Sequence, residues 1–263
     1  MIELRKQKEK HFHNIIREEQ LSIQNRELFL ANKKWYSIVR SSRNFTEKWL
    51  TEKCPNKKVL DYCCGNGDTS IKIAKLMPCE VIGIDISDTS IRNARKQAEK
   101  EGVSRRVLFF VMDSENTSFK DNTFDVIHES GVLHHLDLEK AYSELARILK
   151  PDGECICAEA LGHNPVIHHY RKRTPHLRTE WEVEHILRKK DIEKAKNFFN
   201  KVEILGFFHL TTILAVPFRT LPIFKTFLST LEALDKVLLK LPLIKWQAWQ
   251  ITFSLSEPIK NSK

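Results

Sequence analysis

The sequence predicts an α/β protein on a doubly wound, mostly parallel sheet, and three observations carry that prediction. First, Lys58 to Ser70, KVLDYCCGNGDTS, passes from the apolar pair Val59-Leu60 through Asp61 to glycines at Gly65 and Gly67. A helical pattern follows at Ile71, Ile73, Ala74 and Leu76. Second, short apolar runs recur at EVIGIDIS, VLFFVMD and FDVIHE, the composition of strands buried on both faces. Third, helical segments alternate with them, such as Ser90 to Lys100 closed by Gly102 as a C-cap.

A strand, a tight glycine turn and a helix start let backbone N–H groups approach a ligand closely. A dinucleotide fold would want G-x-G-x-x-G. Here the order is acid-x-Cys-x-Gly-x-Gly, with Asp61 ahead of the turn. An acid there suits a ligand bearing an amino group and repels a pyrophosphate. Asp85 closes the second strand about twenty residues beyond the turn, where a carboxylate can accept from both hydroxyls of a ribose. Asp113, followed by Ser114, closes the third strand, and Glu129 and Ser130 stand at the tip of the fourth. Open α/β sheets bind ligands outside these strand ends.

On these residues the chain resembles the class I S-adenosylmethionine (SAM) methyltransferases. Their first motif, acid-x-Gly-x-Gly-x-Gly, is matched by Asp61, Gly65 and Gly67, with Cys63 where the first glycine usually falls. Leu-His-His-Leu, the helix ending at Leu149-Lys150 and the Pro151-Asp152-Gly153 turn resemble the later motifs, closely so in the subgroup of ubiquinone and menaquinone methyltransferases. The likeness runs by motif from Asn32 to Glu159 and by pattern beyond. It implies a Rossmann-like, seven-stranded sheet with an antiparallel last strand, VEILGFFHLTTILAV supplying strand six and WQAWQITFSLS strand seven. It also implies SAM as cofactor, held by Asp61, Cys63, Gly65, Gly67, Glu129 and Tyr36. Asp85 would take the ribose, Ile86 the adenine face, Asp113 the adenine amino group and Ser114 the remaining adenine contact. The expected activity is methyl transfer to an O, N or C atom of a small metabolite, with His134, His163 and Glu129 as candidates to orient or deprotonate it.

Residues 1–52 read as a helical cap, with Leu21, Leu28, Trp35 and Ile38 among its apolar positions, ahead of a SAM-binding domain over 53–263. Trp35, Tyr36 and Arg43 are the cap residues expected near the substrate. Within the domain, 161–200 is the expected substrate loop region, opening on Gly162-His163-Asn164-Pro165. An imidazole at His163 or His134 is the natural base near neutral pH. His168, His169, His176 and His185 match no zinc spacing, so no metal is assigned. Residues 217–245 form a helical insertion with one apolar stripe: Phe224, Phe227, Leu228, Leu231, Leu234 and Leu238. It reads as a core-completing helix, a dimer contact, a lid or a membrane-interfacial element, and it favours an apolar or amphiphilic substrate.

Composition sets the remaining expectations. The 263 residues, 41% hydrophobic and 29% charged, fit one large globular domain. The six cysteines show no disulfide framework and the N-terminus no secretory core, so the expected compartment is the cytoplasm. A net charge of +9, concentrated in Arg5 to Lys10 and Arg171 to Lys190, raises nucleic acid or an anionic membrane as partners. No basic groove with interleaved aromatics accompanies it. Neither the Asn/Asp-Pro-Pro-aromatic motif nor the Pro-Cys nucleophile of base-modifying enzymes is present, so no nucleic acid is expected. Peripheral membrane contact and a homodimer stay open. The alternatives are an RNA methyltransferase and a non-catalytic SAM-fold partner protein.

Overall fold

A computed structural model describes residues 2–18 and 34–260. Leu21, Leu28 and Asn32 lie outside the described residues, as does the side chain of His176. The seven strands are β1 (Lys58–Tyr62), β2 (Glu80–Asp85), β3 (Val107–Val111), β4 (Phe124–Ser130), β5 (Leu149–Ala160), β6 (Phe199–Phe208) and β7 (Gln250–Pro258). They form one sheet in the order β3-β2-β1-β4-β5-β7-β6. All neighbours from β3 to β5 are parallel, and β7 runs antiparallel to both β5 and β6. The expected architecture is therefore present, with β7 as the reversed strand.

Helices α1 (Ile2–Ile16), α2 (Arg40–Lys53), α3 (Asp68–Leu76), α4 (Asp88–Lys100), α5 (Leu138–Ile148) and α6 (Pro165–Arg173) are joined by the short α7 (Glu180–Glu184) and α8 (Lys189–Glu193). The last helix is α9 (Phe224–Leu238). One core face gathers Leu60, Ile127, Tyr142, Leu145 and Phe253 beneath α5. The other gathers Val59, Ile71, Ile91, Phe109 and Ile156 beneath α2, α3 and α4. A third cluster joins Ile38, Ile167 and Ile213 to Leu228 and Leu231 of the insertion.

The 1–52 stretch divides between two places. Trp49 and Leu50 bury α2 against the sheet, whereas α1 lies across the strand tips. There Lys6 pairs with Asp113 at 2.5 Å and Asn14 accepts from the Ser87 hydroxyl at 2.6 Å. Strand six is shorter than its apolar run suggests. The chain turns at His209, in the left-handed region at φ 66, and continues as a 3-10 turn over Thr212–Phe218. The insertion holds the expected helix, α9, with Leu228 and Leu231 buried and Leu234 exposed.

Candidate active site

The glycine turn is shaped from below. Asp61, 3% exposed, aims its carboxylate into the protein. One oxygen accepts from the Ser70 N–H at 3.0 Å and its hydroxyl at 2.5 Å, and the other lies 2.8 Å from His128 Nδ1. It thus ties the start of α3 to β1 and β4. Gly67, at φ 79, begins α3. A Cβ there would meet the Phe109 ring at 2.7 Å and Ala94 at 2.9 Å, so both backbone and packing require glycine. Cys63 adopts φ 57 without being glycine, a local strain that its neighbours hold in place.

Above the turn opens a cavity of about 590 Å³. Cys63, Asp85, Ile86, Asp113 and Ser114 line one part of it, and Tyr36 and His134 also face it. Asp85 accepts from Gly65 N–H at 2.9 Å and Ser87 N–H at 2.8 Å, which fixes its carboxylate at the rim of β2. Asp113 accepts from Glu115 N–H at 3.0 Å and carries the Lys6 ammonium. Gly65 and Gly67 form the turn without lining the cavity, and Arg17 lies over Gly65.

Of the three residues expected to handle the acceptor, the structure brings His134 alone to the cavity wall. Its Nδ1 sits 2.7 Å from Glu159, and its Nε2 is 4.0 Å from Glu182. Glu159 also accepts the N–H groups of Val132 and Leu133 at 2.7 and 2.6 Å. Glu129 is fully buried beneath that turn and accepts from Val132 N–H at 2.8 Å. Burial and the neighbouring Glu159 push its carboxyl well above the usual range. Burial alone would raise Glu159 too, but His134 and the backbone donors hold it below the usual range. The second oxygen of Glu129 is buried with no hydrogen-bond partner.

His163 is away from the cavity, half-buried against Trp246 at 5.8 Å, with burial lowering its imidazole. Asn164 caps α6 by accepting from Val166 and Ile167 N–H at 3.0 and 3.1 Å. Trp35 packs on Tyr170 at 4.9 Å and Trp249 at 6.2 Å, while Arg43 is exposed on α2. His185 stacks flat on Trp181 at 3.6 Å.

Several lining residues carried no sequence signal. Glu115 is buried and takes both Arg5 and Lys6 from α1. Glu9 accepts from the Thr179 hydroxyl at 2.5 Å and lies 3.1 Å from His135 Nδ1. Burial would raise the Glu9 carboxyl, but its bonds to His13, His135 and Thr179 hold it well below the usual range. Apart from His13, four positions on from Glu9, these partners are 109 to 170 positions apart in sequence, so no local pattern could have paired them. The concentration of positive charge from Arg5 to Lys10 was the one available hint.

A doubly wound sheet with a reversed β7 and a strand-tip cavity beside a glycine turn define an α/β domain that binds its ligand outside the strand ends. Residues 53–203 match the family described as a methyltransferase domain, and the chain belongs to that family. It is 38% identical over 107 residues to a demethylmenaquinone methyltransferase of Lactiplantibacillus plantarum, covering 40% of this chain and 45% of that one. It is also 38% identical over 97 residues to a sterol 24-C-methyltransferase of Aspergillus fumigatus, covering 36% and 26%. The chain thus spans less than half the length of these two relatives. Among solved structures it resembles the geranyl diphosphate C-methyltransferase of Streptomyces coelicolor A3(2), in complex with Mg2+, geranyl diphosphate and S-adenosyl-L-homocysteine. That fold likeness has a TM-score of 0.55 at 15% identity and covers 85% of this chain and 84% of the other.

Proposed function

We propose that this chain is a SAM-dependent methyltransferase acting on a small lipophilic or amphiphilic acceptor. The observation that carries the reading is the convergence of Asp85, Ile86, Asp113 and Ser114 on one cavity beside the Cys63–Gly67 turn. The residues present fit the cofactor. Asp85 offers acceptor oxygens to the ribose hydroxyls, Ile86 an apolar face to the adenine, and Asp113 an acceptor to its amino group. Arg17, which lies over Gly65 and lines the cavity, would pair with the carboxylate of the amino-acid end. SAM supplies a methyl group already activated on a sulfonium.

The chain's own work is to orient the acceptor and exclude water, and alignment of this kind is worth roughly 7–11 kcal/mol. His134 is held by Glu159 through Nδ1, which leaves Nε2 toward the cavity. An imidazole held this way is built to take a proton from a hydroxyl acceptor, worth about 10²–10⁴-fold in rate. An amine acceptor needs only to arrive neutral. Family membership and the names of the relatives favour neither the RNA nor the non-catalytic alternative.

The insertion supports a lipid-borne acceptor. Ile223, Val237 and Leu243 are 61, 63 and 89% exposed, and Lys225, Lys236 and Lys240 are exposed among them. Apolar anchors interspersed with lysines suit an anionic lipid surface.

Isothermal titration with SAM tests the cofactor assignment. Binding is expected in the wild type and about tenfold or more weaker in Asp85→Asn, since charge-assisted hydrogen bonds are lost. Turnover against quinol, phenol and amine panels then identifies the acceptor atom. Absence of SAM binding by the wild-type chain defeats the reading.

A further inference from the structure

We propose that the acceptor carries an anionic group, a carboxylate or a phosphate, and that Arg171 and Arg178 bind it in the cavity. The inference rests on the methyl-transfer reading of the same cavity and names the substrate class within it. Both arginines line the cavity yet are nearly dry, with side chains 10 and 5% exposed. Arg171, on α6, donates through one terminal nitrogen to the Glu182 carbonyl at 2.9 Å, and the same nitrogen lies 3.1 Å from the Glu182 carboxylate. Its Nε is buried with no partner. Arg178 donates to the Thr174 carbonyl and hydroxyl at 2.7 and 2.9 Å, and its Nε is 3.3 Å from the same Glu182 oxygen.

Among the described residues, two buried guanidinium groups thus contact one carboxylate. The neighbouring acids are engaged elsewhere: Glu9 with Thr179 and His135, Glu159 with His134 and two backbone N–H groups. A dry positive charge without its own counterion is costly. Burial accordingly lowers the Arg171 guanidinium from its ordinary value, with Glu182 only partly offsetting it. An incoming oxyanion supplies the missing charge and an acceptor for the orphaned Nε, and a guanidinium fork matches carboxylate and phosphate geometry.

The adjoining wall suits an apolar body. Arg178 sits over the Tyr170 ring at 5.5 Å, Tyr170 packs on Trp35, and Ile167, Leu177 and Trp249 extend the surface. The site therefore reads an amphiphile with an acidic head.

The test titrates the full chain with octyl phosphate, octanoate and octanol, each with and without saturating S-adenosylhomocysteine. At least one anion is expected to bind about tenfold or more tightly than octanol, and the tighter of the two identifies the head group as phosphate or carboxylate. Arg171→Gln and, separately, Arg178→Gln are expected to abolish that preference while S-adenosylhomocysteine affinity stays at the wild-type value. Arg171→Lys retains part of it. Equal binding of octanol and both anions by the wild type overturns the proposal, as does a preference that survives both glutamine variants. The wild-type comparison decides even where a variant fails to fold. Failure of S-adenosylhomocysteine to bind removes the methyl-transfer reading instead, whereas its binding without anion preference removes only the arginine assignment.

Discussion

His209 sits buried at the end of β6, with its ring between Thr212 Oγ1 at 3.2 Å and Ser42 Oγ at 2.8 Å. Burial pulls its imidazole down to about 3 from the ordinary 6.5. The folded state therefore resists its protonation, so its contribution is complete above pH 6.5 and is lost as pH falls toward 3. The slope for one such group is about 1.4 kcal/mol per pH unit. Denaturant unfolding of the wild type and His209→Asn at several pH values should show the difference between them shrinking across that window. Subtraction cancels Glu129, whose raised carboxyl acts in the opposite direction. At this scale the sequence was legible where a strand tip decides placement: Asp85, Ile86, Asp113 and Ser114 reach the cavity as their positions imply. It was less so for direction. Asp61 sits at the expected spacing, but Ser70 and His128 turn its carboxylate inward. His163 and Asn164 follow a strand tip as expected, yet Trp246 and the cap of α6 take them up.

Elements were legible where a period marks them. The stripe of α9 gives its bounds, the apolar runs give the first four strands, and the likeness to the family places strands six and seven. What fastens α9 was hidden, because the fastening is polar and distant in sequence. Asp235, 5% exposed, accepts from Thr211 N–H at 2.7 Å and its hydroxyl at 2.6 Å, and from Leu210 N–H at 3.1 Å. One carboxylate thereby latches the helix to the turn after β6. Asp235→Ala strands these buried donors and should lower stability by about 2–4 kcal/mol, read from the urea midpoint. It should also make residues 217–245 cleavable at protease levels that spare the wild type. The run after His209 shows the converse error of periodicity: TTILAV is apolar enough for a strand, but a left-handed turn ends the ladder first.

For the whole molecule, the seven-stranded, mostly parallel sheet and its reversed last strand were readable through the likeness to a family, while the partition of residues 1–52 between sheet and cavity was not. An apolar position does not say which surface it will meet. The exposed insertion face gives a prediction at this scale. Among the described residues no helix is long and apolar enough to cross a membrane. Leu234 and Val237, three positions apart, share a helical face, with Lys236 and Lys240 beside it. The protein should sediment with vesicles containing anionic lipid and release as salt is raised. Replacing Lys236 and Lys240 with Gln should weaken binding about 30-fold, at about 1 kcal/mol for each lysine. Equal sedimentation of both proteins would place the contact elsewhere.

Helix α1 touches both ends of the same hollow. Lys6 and Arg5 hold it to Asp113 and Glu115 at the end assigned to the nucleoside, while Glu9 and Lys8 hold it to Thr179 and Glu180 near the arginine pair. On the proposed reading a nucleoside at Asp113 would compete with Lys6 for that carboxylate, on the same helix that contacts the wall proposed for the acceptor. One rod thus stands at two doors, and a ligand that displaced it at one would loosen its hold at the other.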